Sequence, residues 1–484
     1  MRVSFPVDNL LLQRDGRENL HRQLYVQLRG LIESRVLPSG DALPSTRELS
    51  KVLKLGRNTV IAAYEQLALE GFIQMGAGAP PLVNGLPAFS PSTKAARTSG
   101  LSSLSKRGLL ISGQPFHHGK PGLTAFHPGL PDADNFPFNT WSKLVARRAK
   151  LARGELFGTY HVNGYPPLRE AIARYLSASR GVHCLPEQIV ITNGAQSAFD
   201  LLARLLTDPG DPVWMEEPGY YGARAAFTSA GAKLMHLRVD ANGWNFDPPK
   251  KRPKAIFVTP SCQHPMGVTM SMEQRINLVQ MADKWNAWII EDDYDSEYRF
   301  QGQPIPALQG IATASRVAFV GTFAKILFPA MRLGYMVVPV ALQENFSAAL
   351  SATGQFAPLI TQAALADFIN EGHLSRHLRR MRRIYAERRR LFIEQFDLHL
   401  GKWMKLHRVD SGIQLVGLFH VPRDDQKIAA RAAKSNVNVS PLSMQYHSRK
   451  SLRGLLFGFA AADEKTTRLA MQRLARILAE EERS

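Results

Sequence analysis

The first apolar pattern of the chain is helical. From Leu20 onward, apolar residues recur three or four positions apart: Leu24, Leu28, Leu31 and Ile32. Pro38 and Gly40 follow as stop signals. The spacing predicts an amphipathic helix that ends before Pro38.

Two shorter helical patterns follow. Ser45-Thr-Arg-Glu48 has the form of a capping box and predicts a helix start. The apolar face of this helix is Leu49, Val52 and Leu53. After the turn at Leu55-Gly56, a third helix is marked by Val60, Tyr64 and Leu67. The order fits a helix-turn-helix, and the periodicity alone fits a plain three-helix bundle equally well.

Polar residues open the third helix, at the end that would enter a major groove. These residues are Arg57, Asn58 and Thr59. Arg57 can reach a guanine edge or a phosphate, while Thr59 and Ser45 can anchor phosphates. Farther on, Gly76 and Gly78 suit the tip of a hairpin, the wing of a winged helix.

The segment from 84 to 124 is rich in Pro, Ser, Gly and Lys and has little periodicity. Such a composition is typical of a flexible tether that buries little apolar surface. We therefore predict a winged-helix domain at 14–83, a flexible linker at 84–124 and a large domain at 125–484.

The large domain alternates short apolar runs with helical patterns. The predicted strands are 189–192, 213–216, 255–259, 288–292, 317–321 and 334–338. This order is typical of an α/β fold with a mostly parallel central sheet, whose ligand lies beyond the carboxyl ends of the strands.

Composition narrows the class of protein. The 484 residues have a net charge of +19, which favours a polyanionic partner. Cys184 and Cys262 are far apart and form neither a disulfide framework nor a metal motif. No apolar run is long enough to span a bilayer, and no signal peptide is apparent. We expect a cytoplasmic protein without a metal site.

Two strand ends carry the side chains that a pyridine aldehyde cofactor needs. Asp292 ends one apolar run and can keep the pyridine nitrogen protonated, and Lys325 follows the next run and can form a Schiff base. Thr322 and Arg332, near the lysine, suit a phosphate.

Two other strand ends supply further candidates. The backbone N–H groups of Ala195 and Gln196, at a strand-turn-helix junction, can form an anion cradle. Tyr220 follows Glu217-Pro218-Gly219 and either stacks on a planar cofactor or fills the core.

The N-terminal segment resembles the GntR-type winged helix-turn-helix over about seventy residues. The resemblance rests on LYVQLRGLIE, LPSTRELSKVL and GRNTVIAAYEQLALEGFI, and it implies that Arg47, Arg57 and Thr59 contact DNA. Gly56 stands where relatives usually have Ser, which weakens a cap and a phosphate contact. Arg35 stands where they usually have Gly.

The rest of the chain is similar to fold-type I pyridoxal-phosphate enzymes of the aspartate aminotransferase type, and more narrowly to the effector domain of MocR-type transcription regulators. The motifs that carry the resemblance are FHPGLPDADNFPFNTW, ITNGAQSAFDLL, EEPGYYG, TPSCQHPMG, IIEDDYDSEYR and GTFAKILFPAMRLGY. It implies an aminotransferase-like domain with a small C-terminal α+β subdomain and pyridoxal 5'-phosphate as cofactor.

The resemblance also implies roles for matching positions. Lys325 would form the Schiff base, Asp292 would pair with the pyridine nitrogen and Tyr294 would hydrogen-bond the phenolic oxygen. Tyr220 would stack on the ring. The phosphate would be held by the Ala195 and Gln196 backbone, Thr322 and Arg332. His264 would either bond a cofactor oxygen or form the pocket wall.

Departures from the aminotransferase pattern bear on the ligand. Leu456 occupies the position of the arginine that grips the α-carboxylate of an amino-acid substrate. Gly222 occupies that of a second arginine, found in regulators that bind an amino acid. Arg224 is either its substitute or a surface arginine.

The sequence thus predicts a DNA-binding regulator that senses pyridoxal phosphate, an amine or an amino acid through Lys325, as a head-to-tail homodimer on an operator. The alternative is an active aminotransferase with an appended DNA-binding module. We expect at most a partial transamination, because the carboxylate anchor is missing.

Overall fold

The computed structural model describes residues 5, 10–14, 18–76, 79–84, 104–113, 125–151, 153–158, 160–247, 249, 251–303, 305–312, 316–448 and 451–483. The chain forms two compact units, Met1–Ser102 and Ser103–Ser484.

The N-terminal unit contains the three predicted helices and a hairpin. Its elements are α1 Leu20–Glu33, α2 Thr46–Leu53, α3 Arg57–Leu69, β1 Ile73–Gly76 and β2 Ala79–Val83. The core of the unit includes the predicted apolar positions Leu24, Leu28, Leu49, Val60, Tyr64 and Leu67, all fully buried. The helical spacing therefore identified the face that packs.

The turns of this unit include the positions at which the sequence departs from the GntR-type pattern. The Ser45 hydroxyl accepts from the Glu48 N–H, and the Glu48 carboxylate accepts from the Ser45 N–H, so the capping box is confirmed. Gly56 gives α3 no side-chain cap. Arg35 adopts the left-handed φ of 60° that a glycine would adopt more easily. The prediction that Val52 packs inward was wrong, since it is 55% exposed on the short helix α2.

The hairpin is the wing of a winged helix. Strand β2 pairs antiparallel with β1 on one side, and on the other the Leu43 N–H donates to the Pro81 carbonyl at 2.7 Å. Pro81 has no N–H to donate, but its carbonyl can still accept a hydrogen bond. Gly78, predicted at the tip, lies outside the described residues.

Most of the predicted linker also lies outside the described residues. The described part includes α4, Lys106–Ser112, a short helix that composition did not predict. Ser105 caps it by accepting from the Gly108 N–H, and Leu109 and Ile111 remain exposed. The boundaries 84 and 124 remain predictions.

The second unit is the large α/β domain. Its further helices are α5 Phe138–Leu151, α6 Arg153–Phe157, α7 Pro166–Arg180, α8 Ala195–Leu206, α9 Tyr221–Ser229, α10 Met272–Trp285, α11 Leu308–Ile311, α12 Gln343–Thr353, α13 Leu359–Asn370, α14 His373–Leu400, α15 Asp425–Lys434 and α16 Glu464–Arg483. Its strands are β3 Ile189–Thr192, β4 Pro212–Glu217, β5 Lys233–Asp240, β6 Gly243–Trp244, β7 Ala255–Val258, β8 Trp288–Asp293, β9 Val317–Thr322, β10 Gly334–Val337, β11 Met404–His407, β12 Gln414–Phe419, β13 Ser440–Pro441 and β14 Gly454–Gly458.

Within the described residues, eight strands form the central sheet, in the order β3-β10-β9-β8-β7-β4-β5-β6. The pairings from β9 to β5 are parallel, and β10 runs antiparallel to both neighbours. Helices cover both faces, so successive strand residues enter different cores: Ile290 packs with α8, α9 and α12, while Ile289 packs with α10. The predicted α/β class with a mostly parallel sheet is confirmed.

The C-terminal part forms the predicted α+β subdomain. Four strands of its described part make an antiparallel sheet in the order β11-β12-β14-β13, packed against α14 and α16. The predicted cofactor residues lie in the large domain, at the strand ends and in the loops that follow them. None of the described helices is long and apolar enough to cross a membrane.

A buried ion pair joins the end of α7 to the end of β8. The Arg180 guanidinium lies 2.7 Å from the Asp293 carboxylate, and the two side chains are 6% and 4% exposed. The same guanidinium also donates to the Ser261 hydroxyl. These contacts fix the strand on which Asp292 stands.

Arg180→Met should therefore destabilise the large domain strongly. Removing the cation leaves the Asp293 carboxylate buried without its partner, a loss of about 3–5 kcal/mol in the free energy of unfolding. Urea denaturation of the full chain measures it, with Arg174→Met on the same helix as control, because Arg174 is 63% exposed. Equal effects of both variants would contradict a structural role for the pair.

Candidate cofactor site

Strand β8 ends in three consecutive buried acids, which the alternation of the strand directs to two faces. Glu291 accepts from the backbone N–H groups of Leu308 and Gln309 and lies 3.7 Å from Arg275. Asp293 is paired with Arg180. Asp292 lies on the opposite face, and its Oδ1 is buried without a hydrogen-bond partner in the described part of the protein.

Asp292 Oδ1, which has no partner among the described residues, suits a group that binds to the protein. Burial, with the charge of Asp293 added to it, raises the pKa of Asp292 well above its ordinary value. A buried carboxylate oxygen without a hydrogen bond is costly. A protonated pyridine nitrogen supplies a proton and a compensating charge, so this position fits the predicted cofactor ring.

Lys325 follows β9, the strand beside β8. Its Nζ donates to the Gly129 carbonyl at 2.8 Å. Burial lowers the pKa of Lys325, and the carboxylates Asp295 and Asp292 oppose that shift. A lowered pKa favours the neutral amine, which is the form that attacks an aldehyde. Lys325 therefore shares the electrostatic environment of Asp292 and Asp295.

The protein groups that are candidates for binding the phosphate also lie together. Helix α8 begins at Ala195 after Gly194, so its first N–H groups have no partner within the helix. Gly334 pairs with Thr322, and a Cβ at Gly334 would lie 3.0 Å from the Ala195 nitrogen. Arg332 precedes Gly334 in this loop and is exposed. These neighbours form a polar cradle at the helix N-terminus, suited to a phosphate.

Three rings line the space between these groups. The ring centroids of Tyr220 and His264 are 5.3 Å apart, and those of His264 and Tyr294 are 6.0 Å apart, both edge to face. The Tyr294 hydroxyl donates to Cys262 Sγ at 3.6 Å. The Tyr220 ring contacts His264 and also packs edge to face against Phe199 of the core, with ring centroids 6.1 Å apart.

His264 is held by two glutamines that sequence reasoning missed. Gln414 Nε2 donates to His264 Nδ1 at 3.1 Å, and His264 Nε2 lies 3.3 Å from Gln445 Oε1. Burial lowers the pKa of His264 to about 4, so the imidazole is neutral near pH 7. Both ring nitrogens are engaged, which favours the pocket-wall interpretation of His264. No motif in the sequence marked either glutamine, because each comes from the C-terminal subdomain.

The structure explains the residues found at the two positions that lack the expected arginines. Leu456 is 1% exposed in an apolar cluster with Met266, Val416 and Leu442. A Cβ at Gly222 would lie 2.4 Å from Gln196 Oε1 and 2.7 Å from the Tyr220 ring. Position 222 therefore has no room for a side chain.

Arg224, the possible substitute, is engaged elsewhere. Its guanidinium donates to the Met444 carbonyl at 2.9 Å and lies 4.8 Å from the centre of the Tyr221 ring. It is half-buried rather than a free surface arginine. Arg224 is therefore not free to bind a substrate carboxylate. None of the positions that the sequence analysis considered supplies an arginine for that purpose.

The candidate DNA-binding residues all belong to the N-terminal unit. Arg57 and Asn58 are exposed in the first turn of α3, with Thr59 half-buried beside them. Arg47 is exposed in the first turn of α2, which Ser45 caps. The side chains are placed at two adjacent helix starts, as a recognition surface requires.

Comparisons with known families agree with the division of the chain into an N-terminal unit and a large α/β domain. Residues 20–82 match the family of bacterial regulatory proteins of the gntR type, and residues 130–474 match aminotransferase class I and II. The chain is 46% identical over 464 residues to the probable rhizopine catabolism regulatory protein MocR of Rhizobium meliloti, covering 95% of this chain and 94% of that protein. This chain belongs to the MocR-type transcription regulators of the GntR family.

Other relatives include regulators and enzymes. The MocR-type chain is 31% identical to the HTH-type pyridoxine biosynthesis transcriptional regulator PdxR of Corynebacterium glutamicum, over 94% of each chain. The crystal structure of LysN, an α-aminoadipate aminotransferase of Thermus thermophilus complexed with N-(5'-phosphopyridoxyl)-L-leucine, is 26% identical. It superposes with a TM-score of 0.70 over 76% of this chain and 96% of LysN.

The cofactor of this MocR-type fold is pyridoxal phosphate, and the residues present fit it. Asp292 would bind the ring nitrogen, Lys325 would bind the aldehyde carbon, and Tyr220 would stack on a face of the ring. The phosphate would be held by the polar cradle, which consists of Ala195, Gln196, Thr322 and Arg332. Bound there, the cofactor supplies an aldehyde that links covalently to amines and a ring that withdraws electrons. Tyr294 and His264 line the same space.

We predict that Gly129→Ala impairs cofactor binding. A Cβ at Gly129 would lie 2.4 Å from Lys325 Nζ, and its φ of +66° disfavours any side chain, so the substitution displaces the amine. The measurement is the near-ultraviolet and visible absorbance of the protein titrated with pyridoxal phosphate. Gly154→Ala, at a position with open space, is the control. Unchanged titration of Gly129→Ala would contradict the placement of Lys325.

Proposed function

We propose that this regulator senses pyridoxal phosphate, or a small amine that meets the cofactor at Lys325, and that it responds by changing its grip on an operator. The observation that supports the proposal most is the apolar environment of Leu456. The groups suited to hold the cofactor are present, but the position that would anchor a substrate carboxylate belongs to an apolar cluster. Without that anchor, the centre suits detection better than turnover.

The relatives support sensing without fixing one ligand. The name of the Rhizobium meliloti protein links it to rhizopine catabolism, and that of the Corynebacterium glutamicum protein links it to pyridoxine biosynthesis. The two regulators are named for different small-molecule pathways. By analogy, either the cofactor or another amine is a reasonable effector for this chain.

We further propose a homodimer with a head-to-tail arrangement that acts in the cytoplasm on DNA. Two winged helices per dimer would contact two half-sites, and ligand binding would shift the equilibrium between two arrangements of the pair. A ligand shifts that equilibrium only by its difference in affinity for the two arrangements. Sedimentation of the protein at several concentrations tests the dimer.

The second candidate function is an aminotransferase with an appended DNA-binding module. The favourable observation is the intact set of cofactor residues, with Lys325 beside Asp292. The two candidates differ in turnover, since an enzyme must release the first product, bind a keto acid and return to its starting state.

We expect no sustained transamination by the loaded protein. Without an arginine at position 456, an amino acid lacks the bidentate anchor that orients it for catalysis. The measurement follows keto-acid formation from a panel of amino acids with 2-oxoglutarate as acceptor. At most one equivalent of product per site is expected. Continuous turnover would favour the aminotransferase.

We expect Arg57→Ala to weaken operator binding by about 1–3 kcal/mol if Arg57 reads a base. The variant should bind pyridoxal phosphate unchanged, because Arg57 belongs to the N-terminal unit. Gel shifts on DNA from upstream of the protein's own gene provide the measurement. Arg22→Ala on α1, where Arg22 is 69% exposed, is a control of equal charge. Identical shifts for wild type and Arg57→Ala would refute the recognition-helix assignment.

A further inference from the structure

Tyr294 has an acceptor within the protein for its single hydroxyl proton. The hydroxyl donates to Cys262 Sγ at 3.6 Å, beside the edge-to-face contact of the Tyr294 ring with His264. A tyrosine hydroxyl has one proton, so it cannot donate fully to Cys262 and to the phenolic oxygen of the cofactor at the same time. The contact with Cys262 therefore bears on how strongly Tyr294 can donate to that oxygen.

Close packing fixes the Cys262 sulfur. The side chain is 3% exposed. A Cβ built at Gly412, whose φ is +82°, would lie 2.7 Å from Cys262 Sγ and 2.8 Å from Asp295 Oδ2, so position 412 has no room for a side chain. The Asp295 carboxylate is itself fully buried and accepts from the Ile413 N–H at 3.2 Å. The packing therefore keeps the sulfur beside Tyr294.

Cys262 and Tyr294 both keep their protons near neutral pH. Burial raises the pKa of the Cys262 thiol well above its ordinary value, and the charge of Asp295 raises it further. Burial also raises the pKa of Tyr294. A neutral thiol sulfur is a weak acceptor. It therefore competes with the cofactor oxygen for the hydrogen bond without removing the tyrosine proton.

The neighbouring polar side chains do not replace Cys262 in this role. The Ser411 hydroxyl donates to a backbone carbonyl at 3.2 Å, and both ring nitrogens of His264 contact glutamine side chains. Within the described part of the protein, the Tyr294 hydroxyl donates to Cys262 alone.

We infer that Cys262 is a positioning residue that draws the Tyr294 proton away from the phenolic oxygen of the cofactor and so raises the proton affinity of the Schiff base at Lys325. The inference rests on the proposed contacts of the cofactor with Lys325 and Tyr294. A phenolic oxygen that receives a weaker hydrogen bond keeps more negative charge, and this charge holds a proton on the nearby nitrogen. The protonated Schiff base is the more electrophilic form, which suits the detection of an amine.

The test is the pH dependence of the visible absorbance of the full chain loaded with pyridoxal phosphate, which reports the pKa of the Schiff-base nitrogen. Cys262→Ala should lower that pKa by about 1, because the Tyr294 hydroxyl then donates to the phenolic oxygen. Cys262→Ser retains an acceptor and should stay close to the wild type. Cys184→Ala, at the other free cysteine, is the control and should change nothing.

A second pair of variants separates the hydrogen bond from other effects of the substitution. Asp292 and Asp295 both act on Lys325, and Asp295, whose pKa burial raises to about 7, lies beside Cys262. A change that reaches the Schiff base through Asp295 persists in the Tyr294→Phe background. The loss of the competing acceptor does not, because no hydroxyl proton is left to redirect. In that background, Cys262→Ala should therefore have little effect on the Schiff-base pKa.

Tyr294→Phe alone gives a measurement that does not depend on the folding of Cys262→Ala. It should raise the Schiff-base pKa only slightly, because the wild-type hydroxyl donates mainly to sulfur. A rise of about 1 or more would overturn the inference. An unchanged pKa in Cys262→Ala, or an equal drop with and without the Tyr294 hydroxyl, would also overturn it and leave cofactor sensing intact. If the wild type acquires no cofactor absorbance, the proposed function fails, and this inference fails with it.

Discussion

The large domain is organised around the burial of three consecutive carboxylates at the end of one strand. Burying a carboxylate requires a cation or several hydrogen-bond donors. Glu291 receives two backbone N–H groups and Asp293 receives Arg180, both from elements packed on one face of the sheet. Asp292 alone points to the other face, where its Oδ1 has no hydrogen-bond partner among the described residues. The two outer acids thus have partners from the fold, and the middle one is the acid we propose for the cofactor.

Most strands of the central sheet and the capping box of α2 could be predicted from the sequence, because both depend on patterns of nearby residues. The predicted strands agree with β3, β4, β7, β8, β9 and β10 to within one residue at each end. Strand β5 was missed because half of its residues, Lys233, His236, Arg238 and Asp240, are polar and exposed. Ser45-Thr-Arg-Glu48 formed the expected capping box, since its contacts span only three residues. Val52 was misjudged because a helix of two turns buries only a narrow stripe.

Contacts between distant segments could not be predicted in this way. Gln414 and Gln445 contact His264 although they lie 150 and 181 residues away in the sequence, and neither belongs to a recognisable motif. The reason for Gly222 is equally non-local, because its neighbour Gln196 comes from the start of α8. The candidate cofactor residues follow a family pattern, whereas Gln414 and Gln445 reach His264 only because the C-terminal subdomain packs against the large domain. We propose that the same centre serves a sensor here because Leu456 replaces the substrate-binding arginine.

We propose that Asp292 holds the ring nitrogen of pyridoxal phosphate. The most direct measurement is the nitrogen-15 chemical shift of cofactor labelled at that nitrogen and bound to the protein. A protonated nitrogen in the wild type and an unprotonated one in Asp292→Asn is the predicted result. An unprotonated nitrogen in the wild type, with the cofactor fully bound, would contradict the account.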